Sequence, residues 1–103
     1  MNYEWIGWCQ EDSHDKVWGV MILDRDINKY VYNPDHKVAV FWGRRGKKLQ
    51  TKVSVESQRN INKLIDSKSK KGYNNVSFEK LNEVYPEFEN DLHQTAFWAS
   101  LKG

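Results

Sequence analysis

The sequence predicts one α+β domain: an antiparallel β-sheet of about four to five strands, one main amphipathic helix and a short helical layer at the C-terminus. Stretches with the two-residue period of a strand fill the first half of the chain. One stretch with helical spacing begins near residue 57 and ends at a glycine. Because two domains would each be too small to bury a core, residues 1–103 are treated as one folding unit.

The first two predicted strands form an antiparallel pair, Tyr3 to Cys9 with Val17 to Leu23. The second of them is apolar on both faces, so we expect it at the centre of the sheet, covered on each side. A loop follows from Asp24. It includes a brief extended piece at 30–32 and a turn at Asn33-Pro34-Asp35.

A basic turn, Gly43 to Lys48, joins the third predicted strand, Lys37 to Trp42, to the fourth, Leu49 to Val55. Alternation along the fourth strand predicts an inward row and an outward row. The inward row is Leu49, Thr51, Val53 and Val55, and the outward row is Gln50, Lys52 and Ser54. Lys52 would then share an open surface with the basic turn.

The main helix begins at about Ser57. Its apolar positions are Ile61, Leu64 and Ile65, and its polar side carries Arg59, Lys63, Asp66 and Lys70. Gly72 stands where a left-handed residue would end the helix. The lysines of the last turn, Lys68, Lys70 and Lys71, suit the carbonyl end of a helix as well as they suit a ligand, and both roles are compatible.

After the helix, the pattern predicts a final strand, Tyr73 to Phe78, and short helical pieces over Glu79 to Gly103 with a break at Pro86. Five apolar residues are expected to cover one face of the sheet: Phe88, Leu92, Phe97, Trp98 and Leu101. The acidic residues of this C-terminal layer are expected to face away from any phosphate ligand. They are Glu79, Glu83, Glu87, Glu89 and Asp91.

The charge of the chain is unevenly distributed. The net charge is only +2, but residues 37–71 contain eleven Lys or Arg and two acids, for a charge of +9, while the remainder carries −7. Such segregation can place a positive field on one face, which favours a polyanionic partner such as nucleic acid. Chance clustering of solvated charges is the alternative interpretation.

No motif for catalysis, metal binding or export is recognisable. A single cysteine, Cys9, rules out an intrachain disulfide, and His14, His36 and His93 lack the spacing of metal ligands. The basic turn lacks the glycine spacing of a P-loop, and no Ser-His-acid order is visible. No leader-like N-terminus or membrane-length apolar run is present. We therefore expect a non-catalytic cytoplasmic protein with no cofactor, no metal and no membrane contact.

The chain resembles the WGR domain over about residues 16–76, which leaves 77–103 as a C-terminal extension. The resemblance rests on the segment Phe41-Trp42-Gly43-Arg44-Arg45-Gly46-Lys47-Lys48, then Gln50, Thr51 and Lys52, then the helix and Lys70-Lys71-Gly72-Tyr73. WGR domains occur in DNA-dependent poly(ADP-ribose) polymerases and in bacterial proteins. The resemblance implies an antiparallel sheet with one helix, Trp42 set against a terminal nucleotide, and Arg44 on the DNA backbone or on a neighbouring domain. The 103 residues contain no polymerase catalytic domain, so no ADP-ribosylation is implied.

We therefore predict a stand-alone module that binds nucleic acid, with DNA as the expected form. The candidate binding residues are Trp42, Arg44, Arg45, Lys47, Lys48 and Lys52, with Lys63, Lys70 and Lys71 as an extension of the basic track. Trp42 ends an apolar strand, so packing in the core is the alternative role for its side chain. The alternative function is a protein-interaction domain that uses the same basic face, and the third is an enzyme with scattered catalytic residues.

Overall fold

Five strands and two helices are assigned within the part of the chain that the structure describes. The structure is a computed structural model, and it describes residues 2–11, 14–24, 34–91 and 94. The strands are β1 (Asn2–Cys9), β2 (Lys16–Asp24), β3 (Asp35–Arg44), β4 (Gln50–Ser57) and β5 (Asn74–Asn75). The helices are α1 (Gln58–Lys70) and α2 (Phe78–Val84), and helical backbone resumes at 88–91.

The sheet is antiparallel throughout, in the order β4-β3-β2-β1-β5. β2 lies at its centre, and the six consecutive residues from Val17 to Ile22 are buried. These findings confirm the predicted pairing of the first two strands and the prediction that the second is covered on both faces. The predicted α+β class is also confirmed.

Each face of the sheet carries its own hydrophobic cluster, because neighbouring strand residues point to opposite faces. On the face covered by α1, here called the α1 face, the buried residues are Cys9, Trp18, Val20, Ile22, Val38, Ile61 and Tyr73. On the opposite face, here called the α2 face, they include Val17, Met21, Ala39, Phe41, Leu81, Tyr85 and Phe88. The last three confirm that the C-terminal layer covers one face of the sheet.

The ends of α1 are fixed by caps that the sequence predicts. The Ser57 side chain accepts a hydrogen bond from a backbone N–H of the first turn. At the other end Gly72 has a φ of +98°. The backbone N–H groups of Gly72 and Tyr73 donate to the carbonyls of Ser69 and Lys68, each at 3.2 Å. This pair of bonds is a Schellman motif, so the predicted stop at Gly72 is confirmed.

The prediction that Val55 faces inward is wrong, because 67% of its surface is exposed. Alternation does assign Val55 to the α2 face, where Leu49 is buried and Val53 packs against the cluster. Val55 lies opposite Lys37, however, beyond the edge of that cluster. Alternation identifies the face of a residue, but not how far the covering layer extends over it.

The predicted boundaries of the last strand and of the basic turn also need correction. β5 is only Asn74–Asn75, and Phe78 begins α2, where the Ser77 side chain accepts from a backbone N–H of the first turn. β3 continues through Gly43 to Arg44, so the turn starts at Arg45. The predicted extended piece at 30–32, residue 33 of the predicted turn, and the apolar residues 92, 97, 98 and 101 lie outside the described residues.

Within the described ranges, no helix has both the length and the apolar character that a membrane crossing requires.

Candidate nucleic-acid interface

A groove of about 470 Å³ lies on the α1 face, where β3 passes into the basic turn. We call it the Trp42 groove. Its lining combines four cationic residues and two aromatic ones with Gly43 and Gln50: Lys16, Arg44, Lys47, Lys48, Trp42 and Tyr73. None of these lining residues is acidic. The groove is therefore a concave, positively charged surface beside the half-buried Trp42 ring, while the Tyr73 ring is buried.

The register of the sheet brings these residues together from three strands. Lys16 of β2 lies opposite Arg44 of β3, and Trp42 lies between Trp18 of β2 and Gln50 of β4. Residues that are directly opposite in an antiparallel pair project on the same face. Two like charges in that position repel each other, and a bound anion between Lys16 and Arg44 would relieve the repulsion.

Trp42 has both of the roles that the sequence left open. Its side chain is half-buried and packs against the hydrophobic cluster of the α1 face. It also lines the groove and, on its other side, a second depression of about 280 Å³. The second depression contains two further cations, Lys52 and Lys68, together with Trp18 and Glu56.

Two lysine ammonium groups lie close to one aromatic ring beside the groove. Lys16 Nζ and Lys68 Nζ are each 5.8 Å from the centroid of the Tyr73 ring, and Lys68 Nζ is 5.5 Å from that of Trp18. Burial lowers the pKa of Lys68, and the charges of Lys71 and Lys16 lower it further. Burial and the neighbouring lysines therefore disfavour the charged form of Lys68, and a bound anion would favour it.

The basic turn separates two adjacent arginines. Arg44 ends β3 and lines the Trp42 groove. Arg45 Nε and Nη2 instead contact Asp15, and its Nη1 donates to the Val84 carbonyl at 2.7 Å. The Arg45 guanidinium also lies 5.7 Å from the Trp8 ring centroid. Arg45 is thus held against the N-terminal strands and α2, and it does not line the groove.

Asp15 is the carboxylate that holds Arg45 in place. The hydrogen bond from Arg45 lowers the pKa of Asp15, and a second hydrogen bond, from the Trp8 indole N–H at 2.7 Å, acts in the same direction. On the far side of the turn, the Tyr85 hydroxyl lies 2.9 Å from the Lys47 carbonyl oxygen. Gly46, with a φ of +85°, allows the chain to reverse between these two attachments.

The structure brings together four of the nine sequence-predicted binding residues, Trp42, Arg44, Lys47 and Lys48, and places Lys52 in the neighbouring depression. The other four residues line neither the groove nor that depression: Arg45, Lys63, Lys70 and Lys71. Lys63 is exposed on α1, Lys70 Nζ lies 3.0 Å from Asp66, and Lys71 is the C-terminal cap residue of α1.

Sequence reasoning missed two residues of this region, Lys16 and Tyr73, as members of the binding surface, and it left Lys68 between a role at the helix end and a ligand contact. Lys16 begins β2, and Arg44 ends β3, the strand that pairs with it. The sequence indicates both strand ends, but it does not give the register that makes the two residues neighbours. Tyr73 was visible only as the residue that follows the helix stop at Gly72. The Schellman motif turns Tyr73 back beneath the last turn, where it meets both lysines.

The acidic C-terminal layer lies on the opposite face from the groove. Glu79 and Glu83 are exposed on α2, and Glu87 lines a separate depression of about 400 Å³ beside Arg45. Within the described parts of the chain, no group of three or more His, Cys, Asp or Glu residues is placed to hold a metal ion.

Comparison of the chain with protein families, with curated proteins and with solved structures gave no match in any of the three. The WGR resemblance therefore stays a prediction that rests on the residues quoted for it.

Proposed function

We propose that this protein is a nucleic-acid-binding module, with DNA as its ligand, that acts without catalysis through the Trp42 groove. One observation carries the proposal: four cationic and two aromatic side chains line a single groove whose described lining contains no acid. Cationic side chains bind the phosphates of a nucleic-acid backbone, and aromatic rings stack on unpaired bases and sugars.

The division of labour within the groove follows from side-chain chemistry. Arg44 presents a planar guanidinium that can donate two parallel hydrogen bonds to one phosphate. Lys16, Lys47 and Lys48 supply mobile point charges around it. The accessible part of the half-buried Trp42 ring can stack on a base or a sugar while the rest of the ring stays anchored in the α1-face cluster.

Two further features support the proposal. The acidic residues of α2 lie on the opposite face, so they do not oppose the positive charge of the groove lining when a polyanion approaches it. The resemblance of Trp42-Gly43-Arg44 to the WGR motif favours DNA over RNA, and it favours strand ends over continuous duplex.

The test is fluorescence anisotropy with labelled blunt duplex, nicked duplex and single-stranded oligonucleotides at a series of salt concentrations. If about four phosphates of a duplex are contacted, the logarithm of the affinity should fall with the logarithm of the salt concentration at a slope near −3.6. The groove variant Arg44→Gln/Lys48→Gln should lose most of the binding. Lys37→Gln/Lys80→Gln removes the same charge and is the matched control, because alternation places Lys37 on the α2 face and Lys80 is in α2.

Affinity that does not change with salt, or equal losses in the groove variant and its control, would refute a specific role for the groove. If no oligonucleotide binds at all, the same cations would suit an acidic protein segment, and the protein-interaction hypothesis would take first place.

A further inference from the structure

β4 is an edge strand of the sheet, and none of the described residues pairs with its outer side. It is eight residues long, and it carries the most exposed large apolar residue of the described chain, Val55. An edge strand of this length offers a row of backbone N–H and C=O groups to another extended segment. Natural edges are commonly protected by prolines, bulges, charged side chains or a covering layer. β4 has no proline and pairs with β3 in continuous register, and its two charged residues, Lys52 and Glu56, have opposite signs.

We propose that the outer edge of β4 is a homodimer interface, in which β4 of one copy pairs antiparallel with β4 of a second copy about a two-fold axis at Ser54. The sequence of the strand is self-complementary in that register. Lys52 of each copy would lie opposite Glu56 of the other, Val53 opposite Val55, and Ser54 opposite itself. Lys52 is therefore paired with Glu56, which also accepts from the Asn60 side chain within its own copy, and the exposed Val55 of each copy is covered.

The faces of the sheet are consistent with this register. Lys52, Ser54 and Glu56 alternate onto the α1 face, whereas Val53 and Val55 belong to the α2 face. Opposed residues in an antiparallel pair share a face, and each of the proposed pairs meets this condition. A shift by two residues in either direction separates Lys52 from Glu56, so charge selects a single register.

In the described part of the chain, α1 is the element to consider at this edge, because it follows β4 directly. α1 begins next to β4, but its last turn lies over Tyr73, which precedes β5 at the opposite edge of the sheet. The helix therefore runs away from the proposed interface. Exposed ion pairs stabilise an interface little, so the backbone hydrogen bonds and the two valine pairs would supply most of the stability.

The dimer would place two Trp42 grooves on the same face of a continuous ten-stranded sheet. Trp42 lies opposite Gln50, four residues from the axis, so the strand spacings put the two grooves roughly 30 Å apart. That separation is close to the rise of one duplex turn, about 34 Å. This consequence rests on the proposed function, whereas the dimer itself does not.

The first test is the molar mass in solution without nucleic acid, by sedimentation equilibrium over a range of concentrations. The expected mass is twice the 12.2 kDa of the chain. Lys52→Glu and Glu56→Lys should each shift the equilibrium to the monomer, because each places like charges opposite each other. An equimolar mixture of the two should restore the dimer, and so should the Lys52→Glu/Glu56→Lys double variant. Lys63→Glu, on the exposed side of α1, is the matched charge control and should remain dimeric.

The second test fixes the register. With Ser54→Cys, a short bifunctional thiol reagent should join two copies covalently, because the two Cβ atoms at the axis would be about 4.5–5.5 Å apart, at or just beyond the limit for a direct disulfide. Ser67→Cys, exposed on α1, should not crosslink, and the native Cys9 is buried. A monomeric mass at every concentration, or a dimer that neither charge variant weakens, would overturn the proposal. Neither result would affect the proposed function, which is measured separately by oligonucleotide binding.

Discussion

Arg45 Nε and Nη2 both lie 2.7 Å from the same carboxylate oxygen of Asp15, while the other oxygen accepts from the Trp8 indole N–H. The backbone N–H of Arg45 also donates to the Asp15 carbonyl, at 2.9 Å. Asp15, the residue immediately before β2, is thus joined by main chain and side chain to Arg45, the first residue of the basic turn. This attachment positions the turn without occupying any of the groove.

Asp15→Ala should destabilise the fold by about 1 kcal/mol. It removes the acceptor for the mostly buried Trp8 N–H and for the Arg45 guanidinium, and the partly exposed position keeps the loss at the low end for charged hydrogen bonds. Urea unfolding measures the change. Glu83→Ala, an exposed carboxylate 4.0 Å from Lys80, should change stability by less than about 0.5 kcal/mol. Equal effects of the two variants would contradict the role given to Asp15.

The Asp15 contribution should depend on pH in a defined direction. The folded-state pKa of Asp15 is below the ordinary value of 3.8, chiefly because of the Arg45 hydrogen bond. A depressed carboxyl pKa contributes stability that is present above the unfolded-state pKa and is lost as pH falls through the folded-state pKa. The stability difference between wild type and Asp15→Ala should therefore be constant from pH 7 to about pH 5 and shrink below about pH 4. A difference that grows on acidification would contradict this assignment.

The two arginines show how far sequence reasoning reached at this site. Composition and the motif identified a basic turn, and the turn exists, but its charges do not act as one group. Arg44 still follows the alternation of β3 and lines the groove, while Arg45 is the first residue to leave the strand. Its partner, Asp15, is 30 positions away in sequence, so only the tertiary structure reveals the pair.

Tyr85→Phe should destabilise the protein by about 1 kcal/mol through the other attachment of the turn. Burial raises the pKa of the Tyr85 hydroxyl, and its hydrogen bond to Asp91 raises it further, so it stays a donor at neutral pH. Phenylalanine removes the single hydroxyl hydrogen that the Asp91 carboxylate and the Lys47 carbonyl share as acceptors. The backbone amide of Lys47, which donates to the Arg44 carbonyl, should exchange its hydrogen faster than in wild type. The control is Tyr3→Phe, whose ring stacks on Phe78 at 5.2 Å and should preserve stability within about 0.5 kcal/mol.

Lys68→Met should separate binding from stability. Methionine keeps the apolar stem of the side chain but removes an ammonium whose pKa is lowered by burial and by the neighbouring lysines. We expect unfolding free energy within about 0.5 kcal/mol of wild type, because lost cation–π contacts and relieved desolvation oppose each other. Oligonucleotide affinity should fall several-fold at low salt. A clear loss of stability with unchanged affinity would show that Lys68 serves only the helix end.

The other differences from the sequence prediction share a cause. The predicted class, sheet, helix and helix stop depend on local patterns, and all are found. The inward position of Val55 and the roles of Lys16 and Tyr73 depend on where one element ends relative to another. The alternation of a strand does not show how far α2 extends over the sheet. The periodicity of α1 does not show that the Tyr73 ring lies beneath its last turn.

Arg44→Gln and Arg45→Gln provide the sharpest comparison, because neighbouring residues of identical chemistry should fail in different assays. Arg44 is exposed and lines the groove, so its replacement should reduce oligonucleotide affinity about tenfold and make the salt dependence shallower by about one phosphate contact. Its unfolding midpoint should stay close to that of wild type.

Arg45→Gln should show the reverse pattern. It loses the contacts with Asp15 and with the Val84 carbonyl, so the midpoint of urea unfolding should fall. Affinity at a temperature where the variant is fully folded should change less than for Arg44→Gln, and the salt slope should remain near the wild-type value, because no phosphate contact is removed. If both variants lower the slope equally, Arg45 contacts the ligand directly, and its pairing with Asp15 must then open on binding.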